Sequence, residues 1–234
     1  PFIKNVIFQA SSYIEKKDVL KKYPNAKVEI INDGVDFSAF QNAEKKSRIE
    51  IVKKHTKIDF DEISNIFFSM GRLHKIKQFD VLINAFEIYL EKDKNAKLII
   101  AGGDDGMGDQ LEQQILELKL NNSVFLIGEV DFRYKKILLS NCDYFVLASE
   151  FESFGIVITE ALACGRPCLV SNKTPWKHLE MNNCGIFVDN EKESFATGFS
   201  DLINKDFDSN KIKNYLKSNY DWGIIVSIFL KIIK

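Results

Sequence analysis

Short apolar runs recur along this chain about every 25 residues, with amphipathic or charged stretches between them. They lie at residues 65–70 (NIFFSM), 96–103 (AKLIIAGG), 124–128 (VFLIG), 143–148 (DYFVLA) and 167–171 (PCLVS). Within each run the apolar residues do not alternate with polar ones. A strand of that kind is buried on both faces, as in parallel sheets. The stretches between them have helical periodicity and supply the crossovers that parallel strands need. The pattern predicts an α/β fold with a doubly wound parallel sheet. Ligands of such sheets bind beyond the carboxyl ends of the strands, so the residues just after each run are the candidate site.

Composition narrows the chemistry. The 234 residues suffice for one large or two small domains. A net charge of −1 gives no electrostatic case for nucleic acid. Four cysteines form no C-x-x-C pair and three histidines are scattered, so no metal is expected. The cysteines read as small core residues of a reducing compartment. No run reaches the length of a membrane span, and no signal peptide is visible. Residue 1 is Pro rather than Met, as expected for a piece of a longer chain. Only four of the 32 basic residues are arginines: Arg48, Arg72, Arg133 and Arg166. In so Lys-biased a chain an arginine points to a need for its fork geometry.

The richest stretch is residues 149–165, SEFESFGIVITEALACG. It follows a buried strand, and Gly165 and Pro167 end a helix after it. The expected order is strand, tight loop, and a helix starting near Phe154 or Gly155. The first amides of that helix lack partners within it and form an anion site. Glu152 precedes the helix and Glu160 lies about one and a half turns inside. Amides flanked by two carboxylates suit a ligand with phosphates and sugar hydroxyls. Acidic residues are also favoured near any helix N-terminus, and the residues alone leave both readings open.

After the strand at 65–70 comes Gly71-Arg72-Leu73-His74-Lys75-Ile76-Lys77-Gln78. A fork-shaped Arg72 and a point-charge Lys77 can clamp a diphosphate, or can simply be solvated cations. Gly102 and Gly103 either admit a ligand close to the backbone or form a plain turn.

These motifs together resemble family-4, or group 1, retaining glycosyltransferases. That family's pattern, E-G-F-G…E-A-M-A-C-G-x-P-V, meets Glu152-Ser-Phe-Gly155…Glu160-Ala-Leu-Ala-Cys-Gly165-Arg-Pro167-Cys168 here. Its G-R-L-x-x-x-K-G-x-x-x-L-I-x-A-F meets Gly71, Arg72, Leu73, Lys77, Leu82, Ile83, Ala85 and Phe86, with Gln78 in place of a glycine. Its I-P-N-G-V-D is similar to Asn32-Asp33-Gly34-Val35-Asp36, and Thr174-Pro-Trp176 resembles a variant among surface-polysaccharide transferases.

The resemblance implies GT-B architecture, two Rossmann-like domains around a cleft. Residues 1–35 would be the tail of the N-terminal acceptor domain and the crossing. Residues 36–218 would be the nucleotide-sugar donor domain. Residues 219–234 would be an apolar helix packing towards the N-terminal domain. The implied activity is transfer of a sugar with retention, from a UDP-sugar or GDP-sugar to a glycan or lipid-linked acceptor, in bacterial surface polysaccharide synthesis, with this piece inactive alone. Arg72 and Lys77 would neutralise the leaving diphosphate, with Glu152 beside the donor sugar. Ser153, Phe154, Gly155, Glu160 and Gly103 complete the implied nucleotide contacts, Glu160 on the ribose. A cytoplasmic protein is expected, with peripheral attachment at the inner face of the plasma membrane and self-association as further expectations from the apolar end. A GT-B-type sugar-nucleotide epimerase or hydrolase, or a non-catalytic nucleotide-sugar-binding domain, stays open beside this. Trp176 either stacks on a donor or covers the core, and His74 has no assigned role.

Overall fold

The computed structural model describes residues 6–57 and 62–232. Asn5 and Ile233, the expected outer ends of the first strand and last helix, lie outside the described residues. The chain begins with strand β1 (Ile7–Ala10), helix α1 (Tyr13–Lys22) and strand β2 (Lys27–Ile30). Ser12 caps α1 by accepting the Glu15 amide. β1 and β2 form a two-stranded parallel sheet of their own.

A short helix α2 (Arg48–Lys53) follows, entered through a capping box of Ser47 and Glu50. The charged sequence predicts a solvated helix over residues 44–57. The helix is shorter and not solvated all round, because Ile51 and Val52 are buried in the core.

The main body alternates strand and helix. Its elements are β3 (Ile66–Met70), α3 (Phe79–Leu90), β4 (Lys97–Ala101), α4 (Gly108–Glu117), β5 (Val124–Leu126), α5 (Phe132–Asn141), β6 (Tyr144–Leu147), α6 (Ile156–Ala163), β7 (Cys168–Ser171), β8 (Gly185–Val188), α7 (Lys192–Asn204) and α8 (Ser209–Tyr220). The six strands form one parallel sheet in the order β5-β4-β3-β6-β7-β8. From β3 the chain winds outward one way, and from β6 the other. The switch point is therefore the gap between β3 and β6, where Phe67 pairs with Tyr144.

Both faces of the sheet are covered, which accounts for the continuous apolar strands. Phe68, Ile99, Phe145 and Val170 face a layer containing α5, α6 and α8. Phe67, Leu98, Ile100 and Leu169 face α3, α4 and α7. On that second face Phe67, Phe86 and Phe199 meet edge to face, with Phe67 and Phe199 centroids 4.8 Å apart.

Helix α9 (Trp222–Ile232) ends the described chain. Val35 and Tyr220 join the two ends of the main body, the Val35 amide donating to the Tyr220 carbonyl at 2.9 Å. Trp222 then lies over Gly34, where a Cβ would sit 2.5 Å from the indole. The apolar composition predicts a helix buried all round or held by a membrane. In α9 only Ile225 is buried, while Trp222, Val226 and Leu230 are about half exposed. No described helix is long and apolar enough to cross a membrane.

Candidate active site at the switch point

The loops after β3, β4 and β5 are laced together beyond the strand ends. The Gly71 amide donates to Ala101, the Leu73 amide to Gly103, and the Gly102 amide to Gly128. Gly102 is the sterically required member of its pair. A Cβ there would lie 1.8 Å from the Gly71 carbonyl oxygen. At Gly103 the Cβ direction is open, with the Glu129 carboxylate 3.7 Å away as the nearest group.

The loop after β3 carries both candidate cations. Arg72 is exposed and its guanidinium donates to Asp105 at 2.6 Å. Lys77 lies deeper, its stem against Gly71. Its ammonium meets the Glu152 carboxylate at 2.5 Å, and the Ser149 hydroxyl donates to the same oxygen at 2.8 Å. The two loops flanking the switch point are thus joined through side chains. Backbone joins them too, the Glu150 amide donating to Ile76. His74 folds back as the acceptor of the Ile76 amide and caps the single 3-10 turn that carries Lys77.

Gln78 adopts a left-handed conformation, φ 47° and ψ 45°. A glycine enters that region without steric cost, and glutamine does not. Its side chain accepts from Asn190 and donates to Glu150, which fixes the turn.

Helix α6 begins after Gly155, itself at φ +85°. Ser153 is exposed beside it. Phe154 is buried, its ring 5.4 Å from Trp176 and 5.9 Å from Tyr220. A ligand can therefore meet Phe154 through backbone only. Trp176 is buried, with its indole N–H donating to the Phe154 carbonyl at 2.6 Å. That settles the choice at Trp176 in favour of the core: the ring holds the loop before α6 from beneath and has no free face for a ligand.

Glu160 lies on the first turns of α6 and is buried. Burial pushes its carboxyl above the usual range, and the Lys135 ammonium, 2.5 Å away, opposes that shift. Arg72, Lys77, Glu152 and Glu160 all follow β3 or β6, the strands on either side of the switch point. Each already has a partner of opposite charge: Asp105 for Arg72, Glu152 and Lys77 for each other, and Lys135 for Glu160. Sequence reasoning missed Asp105, Ser149 and Lys135. A lysine in a chain so rich in them gives no local signal that it faces a glutamate 25 positions away.

Comparison with known proteins bears on the family and the fold. The family model of the group 1 glycosyl transferases matches residues 50–219. An uncharacterised glycosyltransferase of Methanocaldococcus jannaschii is 29% identical over 98% of this chain, and the chain spans 59% of that relative's length. Two solved structures share the fold. One is WaaG, a glycosyltransferase involved in lipopolysaccharide biosynthesis, at a TM-score of 0.79 and 17% identity over 97% of this chain and 62% of that one. The other is Anabaena HepE in complex with UDP and glucose, at 0.71 and 22%, covering 96% of this chain and 61% of that one. With its family pattern matched over most of its length, the chain belongs to the group 1 glycosyl transferases.

Proposed function

We propose that this chain binds the donor of a retaining glycosyltransferase, a UDP-sugar or GDP-sugar whose sugar is passed to a glycan or lipid-linked acceptor. The observation that carries the proposal is the switch point between β3 and β6. Arg72 and Lys77 follow the first strand, and Glu152, the α6 amides and Glu160 follow the second.

The chemistry is charge neutralisation on a leaving diphosphate. Arg72 and Lys77 exchange Asp105 and Glu152 for phosphate oxygens. The exposed Arg72–Asp105 pair holds only about 0–1 kcal/mol, so the exchange costs little. The amides of Phe154 and Gly155 add donors at the helix entrance. Glu160 accepts from the ribose hydroxyls. Glu152, released by Lys77, faces the donor sugar, with Ser153 and Gly103 lining the approach. HepE, crystallised with UDP and glucose, supports a UDP-type donor. WaaG's involvement in lipopolysaccharide biosynthesis supports a bacterial surface glycan as the product.

Residues 36–218 form the donor domain in this reading, residues 1–35 are the tail of an acceptor domain with the crossing from it, and residues 219–234 are a helix that packs towards that domain. The acceptor is held there, and both reactants must be positioned for transfer. An epimerase or hydrolase is disfavoured because each of the three histidines is already engaged in a hydrogen bond of the fold. His55 bonds Tyr134, His74 caps a turn, and His178 bonds Tyr220. A thermal-shift series with UDP, GDP, ADP and their sugars tests donor binding. The anomeric configuration of the product made by the longer protein tests retention.

A further inference from the structure

We propose that Lys135 is a positioning residue of the donor site: its ammonium holds one carboxylate oxygen of Glu160 and so presents the other, charged, to a ribose diol. The inference rests on the donor-site reading above.

Three observations carry it. First, the pair is sheltered, with the Lys135 and Glu160 side chains 17% and 11% exposed. Second, the contact is one-sided. Among the described residues Lys135 is the side chain that donates to Glu160, and it reaches Oε1 alone, leaving Oε2 for a ligand. Third, the ammonium is seated rather than loose. It lies 5.4 Å from the Phe132 ring and 5.9 Å from the Phe40 ring, which themselves meet edge to face at 5.5 Å. The ammonium thus lies over a pair of touching rings, a contact that favours its charged form.

The need for such a partner follows from the task. A ribose diol offers two hydroxyl donors, and a carboxylate can accept both, whereas a protonated carboxyl must spend one oxygen as a donor. Burial alone favours the protonated form. Lys135 from α5 is the charge that counters it. The other charges near this end of α6 are Arg166 and Lys213, and both act on Cys164, one turn further along, whose thiol burial also pushes up. Loss of Lys135 removes the hydrogen bond and the charge that oppose this upward push on Glu160.

The test uses the whole chain with Lys135→Met, Lys135→Arg and Glu160→Gln. Carboxyl carbon-13 shifts of the glutamates report the titration of Glu160, assigned by its loss in Glu160→Gln. Titration calorimetry with UDP and GDP from pH 5.5 to 8.5 reports binding. In the native chain affinity for the nucleotide it prefers is expected to stay level above the Glu160 midpoint. In Lys135→Met the Glu160 midpoint moves up, and affinity falls about tenfold per pH unit below that midpoint. Lys135→Arg restores the level profile. If Lys135→Met leaves the midpoint in place, or weakens binding equally at every pH, Lys135 is only structural and the inference fails while the donor site stands. If the native chain binds no nucleoside diphosphate, the donor-site reading fails, and the ribose-presenting role fails with it.

Discussion

Lys77 and Glu152 meet at 2.5 Å across the gap where the strand order reverses. One follows β3 and the other follows β6, so a single ion pair spans the two halves of the sheet. It also ties the cation that would hold a diphosphate to the carboxylate that would face the sugar. On the proposed reading, phosphate would take Lys77 and free Glu152.

Arg72→Ala and Lys77→Ala are each expected to weaken nucleoside-diphosphate binding by about 1.5–3 kcal/mol, the range for hydrogen bonds to charged groups. They should differ in stability. Arg72 is 74% exposed and its loss should change unfolding by no more than about 0.5 kcal/mol. Loss of Lys77 leaves Glu152, only 12% exposed, without its cation and should cost more. Calorimetry and urea unfolding on both variants separate the two effects. Unchanged affinity in either removes that residue from the site.

The two glutamates should divide the donor between them. Glu160→Gln is expected to weaken UDP and UDP-sugar alike, because both carry the ribose. Glu152→Gln should leave UDP nearly unaffected and act on the sugar-bearing donor. Equal losses on the bare nucleotide would show that the division is wrong.

Gln78 holds a left-handed backbone at a cost of about 1 kcal/mol. Its side-chain bonds to Asn190 and Glu150 offset that cost. Gln78→Ala keeps the strain and loses the bonds, so it should destabilise by about 1–2 kcal/mol. Gln78→Gly loses both together and should stay within about 0.5 kcal/mol of the native chain. Equal destabilisation by the two variants would mean that the backbone is not strained.

Mild acid should loosen the aromatic cluster under the α6 loop. Burial depresses the His178 imidazole below its usual 6.5, and burial with the nearby Lys54 depresses His55. The unfolded chain therefore binds more protons than the folded one just below pH 6.5, and stability falls as pH drops through that window. Unfolding free energies between pH 8 and 5 should decline, and His178→Gln should flatten part of the decline. Identical slopes would mean that His178 titrates normally in the fold.

Five of the six strands of the main sheet were legible because strands buried on both faces leave uninterrupted apolar runs, and the edge strand β8 was not among them. The position of Glu152 and Glu160 on either side of the α6 start was legible for a similar reason, since Gly155, Gly165 and Pro167 punctuate the helix. What escaped the sequence depends on distant partners. Ile51 and Val52 sit among charges, and only packing on the sheet shows that α2 is half buried. Trp176 was undecided until its N–H met a carbonyl 22 positions away. Lys135 looked like its neighbour Lys136, and only the approach of α6 to α5 distinguishes them. The apolar end was read as packing towards a further domain, and α9 buries Ile225 alone among its described residues and leaves its other large apolar side chains exposed or half-buried.

The most direct test of the donor site is a crystal structure of the chain soaked with its preferred nucleoside diphosphate. The account predicts diphosphate oxygens within hydrogen-bond reach of Arg72 and Lys77, with Glu152 turned away from Lys77 and the ribose on Glu160. A nucleotide lodged instead in the groove of about 700 Å³ lined by Lys46, Lys54, Arg133 and Tyr134, between α2 and α5, would contradict it.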